Sequence, residues 1–223
     1  MIVFRCNAAP SVGVGHLMRC RTLAAALRER GVPSVMIGPD DAWRTADDAR
    51  LFDEWLPRAW TDPEADAGAL IDVCRRLDAK VAVLDDYRVD EAYQLCLRHA
   101  GLKWMQQFNA SAPPPFWGDW VVNAGPRETA DRYAAQVRNP EAAFLLGPEY
   151  AVLRPAFRDL PRRAPNGEVR RVLLSFGGGD DRGLIIQTLS ALLENGPSGL
   201  EYRIMSGARN PGNAHIARWV AAN

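Results

Sequence analysis

Three segments of this chain carry side chains able to do chemistry. The first is Gly13-Val14-Gly15-His16-Leu17-Met18-Arg19, between a short apolar run and a segment with helical spacing. Glycines at such a junction let backbone N–H groups approach a ligand, and a helix N-terminus favours negative charge. His16 falls in the first helical turn, at the carboxyl end of a strand, where open α/β sheets bind ligands. The partial positive charge there suits a neutral imidazole that accepts a proton. The position suits equally a histidine that only caps the helix or packs against it. Met18 stands where a dinucleotide fingerprint begun at Gly13 requires Gly or Ala, which makes a nicotinamide or flavin reading weak.

The second segment, Asp85-Asp86-Tyr87, directly follows the apolar run Val81-Ala82-Val83-Leu84. An acid there could orient or polarise His16, and Tyr87 could bond to a sugar or stack on it. An Asp pair that merely caps the next turn is the blander reading, and from the residues alone the favoured one. The third is Ser175-Phe176-Gly177-Gly178-Gly179-Asp180, a strand running into three glycines ahead of a helical segment. Such a loop suits a diphosphate, although the GK[ST] ending of a Walker loop is missing. His99, near a helix C-terminus, and His215 read as structural, and the seven tryptophans as packing residues.

The elements that must position these groups alternate in kind. Strands are expected at Ile2–Phe4, Ser34–Ile37, Val81–Leu84, near Lys103–Gln107, at Trp120–Asn123 and at Phe144–Leu146. Helices are expected over 16–30, 43–56, 63–78 and 90–100. This alternation predicts a parallel sheet covered on both faces. The polar stretch Leu160–Glu168 reads as a linker, and Pro113-Pro114-Pro115 as a stiff local turn. The pattern then restarts with a strand over Val169–Ser175, a helix over 182–194, a strand at Tyr202–Met205 and a helix over 213–222. The fold class is therefore α/β: a Rossmann-like N-terminal domain over 1–160 and a second, incomplete α/β domain over 161–223. A second domain this short is expected to lean on the first, on a second copy of the chain, or on further residues.

Composition narrows the partners. Lys plus Arg and Asp plus Glu are 27 each, and 48% of residues are hydrophobic. A duplex-binding protein usually carries a basic excess, so neither nucleic acid nor a membrane surface is expected. The N-terminus lacks the pattern of a signal peptide, and no apolar stretch approaches the length needed to span a bilayer. Cys6, Cys20, Cys74 and Cys96 form no CxxC pair and read as reduced, mostly buried thiols of a cytoplasmic protein. A zinc site built from Cys6, His16 and Cys20 lacks both a known spacing and a fourth ligand.

Taken together, the motif-bearing segments resemble one family. FRCNAAPSVGVGHLMRCRTLAAALRERG is similar to the opening of the bacterial UDP-sugar hydrolases of the pseudaminic acid pathway and of their spore-coat polysaccharide relatives. VAVLDDYRVD, LGPEYAVLRPAF and LLSFGGGDDRG follow in that family's order. Asn7 and Gln107-Phe108-Asn109 stand where the family commonly carries acids. The resemblance implies a GT-B-like fold and hydrolysis of a UDP-linked amino-deoxy sugar to UDP and free sugar, with no cofactor and no metal. It implies His16 as the base that activates water, with Asp85 and Tyr87 beside it. Gly13, Gly15, Arg19, Tyr150, Gly177, Gly178, Gly179 and Asp180 become the expected substrate-binding residues. Glycosyl transfer and silent binding of a sugar nucleotide remain the alternatives.

Overall fold

The computed structural model of the protein describes residues 1–108, 115–157, 160–161 and 167–223. Asn109, Pro113, Pro114 and most of the linker stretch, 162–166, lie outside the described residues. The chain divides into two compact units, Met1–Ala8 with His16–Arg158, and Ala9–Gly15 with Asp159–Asn223.

The first unit is built on a parallel sheet of seven strands. These are β1 (Ile2–Cys6), β2 (Ser34–Gly38), β3 (Glu54–Pro57), β4 (Val81–Asp85), β5 (Lys103–Gln107), β6 (Trp120–Asn123) and β7 (Ala143–Leu146), in the order β3-β2-β1-β4-β5-β6-β7. The runs IVFRC, SVMIG and VAVLD are nearly continuous in apolar residues, as expected of parallel strands covered on both sides. The order reverses between β1 and β4, which makes their carboxyl ends the switch point where Rossmann-like sheets hold ligands.

Helices cover both faces of this sheet. On one, α1 (Gly15–Arg28) brings Leu17, Cys20 and Ala24 against Phe4, Cys6, Met36 and Val83. On the other, α3 (Pro63–Arg76) and α4 (Glu91–His99) bring Leu70, Cys74, Tyr93 and Leu97 against Val3, Ala82, Leu84 and Trp104. Both of these helices start on an aspartate cap. Asp62 accepts the Ala65 N–H at 2.8 Å and Asp90 the Tyr93 N–H at 2.9 Å, and Pro63 occupies the first turn of α3. Each ends on basic residues, Arg75 and Arg76 in α3, Arg98 and His99 in α4, and the arginine charges favour the C-terminal dipole.

The helix expected over 43–56 is not formed. A short 3-10 turn at Asp41–Trp43, the single turn α2 (Asp48–Leu51) and the edge strand β3 replace it. Phe52 and Trp55 are buried against Phe4 and Met36, and pairing with β2 outweighs the helical spacing of the segment. The other expected elements of this unit form within about two residues at each end, the usual uncertainty of a helix or strand boundary.

The second unit pairs two parallel strands, β8 (Arg171–Ser175) and β9 (Glu201–Met205), under α5 (Leu184–Asn195) and α6 (Asn213–Ala222). Leu174, Ile185, Leu189 and Ile216 form its small core. Leu173 and Met205, on the opposite face of the strand pair, remain exposed. Among the described residues, no helix is long and apolar enough to cross a membrane.

Candidate functional site

The parallel register sets Cys6, the last residue of β1, beside Asp85, the last residue of β4. Side chains alternate across a strand, so Asp85 shares the α1 face with Val83, two residues before it. There it meets the first turn of α1. Asp85 Oδ1 lies 2.6 Å from His16 Nδ1, and both residues are buried, 1% and 4% exposed. Arg19, one turn further along α1, donates to the same carboxylate with both edges of its fork. Its Nε is 2.7 Å from Oδ2 and its Nη2 2.7 Å from Oδ1.

This geometry selects the histidine tautomer. An ionised carboxylate is acceptor-only, so His16 Nδ1 carries the hydrogen and, in the neutral ring, Nε2 carries the lone pair. The 3.4 Å approach of Arg19 Nη2 to Nδ1 joins two donors that share Oδ1. Burial disfavours the Arg19 charge, but its bonds to Asp85 outweigh that and keep the guanidinium protonated. The ring of Tyr87 stands edge-on to the His16 ring, with centroids 4.6 Å apart and planes at 84°. Tyr87 itself is 65% exposed, so its hydroxyl remains open to a ligand. Burial pushes the Cys20 thiol well up, which removes it as a nucleophile beside this cluster. A buried, acid-oriented imidazole with an aromatic beside it can accept a proton from water or from a hydroxyl.

The structure thus brings together His16, Asp85, Tyr87 and Arg19 from two sequence segments. Asp86 takes the turn role expected of the pair, accepting the Arg88 N–H at 3.0 Å, whereas Asp85 serves the histidine. Tyr150 sits in a 3-10 turn after β7 with its N–H bonded to the Gly147 carbonyl, and no described bond joins it to the cluster.

The glycine loops belong to the second unit and pack on one another there. The Asp180 N–H donates to the Pro10 carbonyl at 3.3 Å, and a Cβ on Gly13 would stand 3.3 Å from Gly179 N. Gly15 opens α1. The loop Gly177–Gly179 precedes helix α5, which begins at Leu184. Asp181 caps its first turn, accepting the Ile185 N–H at 2.9 Å and an Asn210 side-chain N–H at 2.8 Å.

A second buried polar cluster escaped the sequence reading. Arg5, 1% exposed, donates from Nε and Nη2 to Asp66 at 2.8 and 2.7 Å and from Nη1 to the Cys6 carbonyl at 2.7 Å. The Tyr93 hydroxyl donates to Asp66 at 3.2 Å. The signal was there: Arg5 is a charge inside the apolar run IVFRC, and Asp66 lies on the buried stripe of α3 with Ala67 and Leu70. Among the described residues, no group of three or more His, Cys, Asp or Glu side chains is placed to hold a metal ion.

No family model matches the chain. An uncharacterized protein of Methanocaldococcus jannaschii is 24% identical to it over 188 residues, which are 82% of this chain and 37% of that protein. The chain thus spans little more than a third of the length of the curated relative it matches. Among solved structures, Acinetobacter baumannii MurG aligns at a TM-score of 0.47 and 12% identity, covering 92% of this chain and 65% of the other. The biotin carboxylase subunit of pyruvate carboxylase aligns at 0.33 and 20% identity, covering 46% and 22%. At these values neither likeness speaks to function.

Proposed function

We propose that the chain belongs to a nucleotide-sugar hydrolase that releases UDP and free sugar from a UDP-linked amino-deoxy sugar, with His16 as its base. The observation that carries this reading is the 2.6 Å contact between buried His16 Nδ1 and Asp85, which leaves Nε2 as a proton acceptor at the switch point of the sheet. The resemblance of the segments around His16 and Asp85 to the UDP-sugar hydrolases supports the choice of substrate.

In the reaction, a water molecule gives a proton to His16 Nε2 as its oxygen attacks the anomeric carbon. The bond from that carbon to the phosphate oxygen breaks, its electron pair leaves with UDP, and the configuration inverts. Asp85 holds the ring and stabilises the imidazolium that forms, as a carboxylate does behind a catalytic histidine. Arg19, bonded to Asp85 on both edges, positions that carboxylate. Tyr87 offers its exposed ring and hydroxyl to the sugar. The four cysteines are free thiols, which supports work in a reducing, cytoplasmic setting.

The test is a screen of UDP-, CMP- and GDP-sugars for nucleotide release in oxygen-18 water, with products followed by phosphorus NMR. The reading expects the label in the free sugar. Label in the nucleotide would overturn the mechanism, and release only after an acceptor alcohol is added would make the protein a transferase.

A further inference from the structure

Asp86 follows Asp85 but serves the other face of the sheet, where its charge acts on both Arg5 and Tyr93. Its carboxylate fixes Arg88, accepting from Nε at 2.9 Å and Nη2 at 2.5 Å. The Arg88 guanidinium lies 4.3 Å from the centroid of the Trp60 ring, and Trp60 stacks on Tyr93 with centroids 5.5 Å apart and planes at 10°. Arg58 approaches the same place, its Nε 3.8 Å from buried Asp66 and its Nη2 donating to the Ala65 carbonyl at 3.3 Å.

These residues enclose a cleft of about 400 Å³ at the carboxyl ends of β1, β2 and β3, within the first unit. Arg5, Arg58, Arg88 and Trp60 line it, and Gly38 brings bare backbone to it. Asp40 is the one acid on its wall. Asp66 and Asp86, which balance the arginines, are 1% and 5% exposed and lie behind the lining. The cleft therefore presents N–H edges while the acids stay underneath. Arg88 bonds Asp86 through Nε and Nη2, and its Nη1 has no hydrogen-bond partner among the described residues.

Arg5 has an evident structural duty, since its bonds run to Asp66 and to the Cys6 carbonyl. Arg88 balances the buried Asp86 carboxylate, and Asp86 and Trp60 hold it at the surface of the cleft with donors to spare. A guanidinium fixed in this way loses little entropy when it grips an oxyanion, and planar bidentate recognition of carboxylate or phosphate is what arginine does best. We propose that this cleft binds the oxyanion group of a small molecule, a phosphate or a carboxylate, between Arg58 and Arg88 with Trp60 as its apolar wall. The site lies on the α3–α4 face, opposite His16, and does not depend on the hydrolase reading.

The test is a titration of the whole chain with inorganic phosphate and, separately, with acetate. It is followed by the arginine Nε–H and tryptophan indole signals in proton–nitrogen NMR, with Trp60→Phe to assign the indole. Saturable shifts at Arg88 and Trp60 are expected, and the probe that saturates at the lower concentration identifies the oxyanion. Arg58→Gln and Arg88→Gln should each weaken binding by about tenfold, the scale of one lost charge-assisted bond. Because Arg88→Gln strands the buried Asp86 carboxylate, the pair Asp86→Asn with Arg88→Gln, which leaves no unpaired charge, must show the same loss. Unchanged affinity in that pair, or shifts that rise linearly with both anions in every variant, would overturn the proposal. His16→Asn should bind the probes as the unmutated chain does, so failure of this site and failure of the catalytic reading are separable.

Discussion

Asp85 and Asp86 are consecutive, yet they bind partners on opposite faces of one sheet. Asp85 takes His16 and Arg19 on the α1 face, while Asp86 takes Arg88 in the α3–α4 cleft. Adjacent residues of an extended chain point to opposite sides, so Asp85 at the end of β4 and Asp86 just after it supply two separate polar centres.

The first expectation concerns His16. His16→Asn should fold normally, because a short polar side chain suits the start of a helix. Nucleotide release should fall by on the order of 10²- to 10⁴-fold, the usual contribution of a positioned base. Asp85→Asn should reduce release on a similar scale by favouring the wrong tautomer. Melting curves run beside the release assay decide the matter. A His16→Asn protein that melts early yet keeps its activity per folded molecule would make the histidine structural.

The Arg5–Asp66 pair is expected to matter for stability. Asp66→Asn leaves a buried guanidinium without its counter-charge and should cost about 3–5 kcal/mol. Replacing both partners together, Arg5→Met with Asp66→Leu, should recover much of that loss, since an apolar pair of similar volume needs no desolvation of charge. Urea midpoints measure both. Equal destabilisation by the single and double changes would show that the ion pair contributes more than the desolvation it requires.

Acid should loosen the start of α5. Burial by itself would raise the Asp181 carboxyl, but the Ile185 N–H and Asn210 outweigh it and hold the group below the ordinary carboxylate range. In the unfolded chain that proton is taken up near a pH of about 3.9. The cap's contribution is therefore complete above about pH 4 and is lost as the pH falls through the depressed folded value. Hydrogen exchange of the α5 amides should be faster in Asp181→Asn at neutral pH, with the difference from the unmutated chain narrowing in acid. A difference that stays constant down to low pH would count against the cap.

Gly38 and Gly31 both have positive φ, at +125° and +72°, but only one is crowded. A Cβ on Gly38 would overlap Arg5 Nη1 and the Cys6 carbonyl, whereas one on Gly31 meets nothing within 4 Å. Gly31→Ala should therefore show only the backbone strain of about 1 kcal/mol, and Gly38→Ala clearly more, through the displaced Arg5. Equal losses in melting experiments would remove the steric part of this account.

Much of the architecture was legible in the sequence because it is local. Short apolar runs and helical spacing each act within a few neighbours, so periodicity exposes them. The segment 43–56 was misread because pairing of β3 with β2, a tertiary term, decided between two local patterns. His16 and the acidic pair at 85–86 stood out by type and position; the residues alone left open which acid serves the histidine, and only the family resemblance pointed to Asp85. That choice belongs to the parallel register of β1 with β4, which brings Asp85 to a residue 69 positions away and turns Asp86 to the other face. The Arg5, Arg58, Arg88 and Trp60 cleft was invisible for the same reason. Its members sit at the ends of different strands, and only the assembled sheet makes them neighbours.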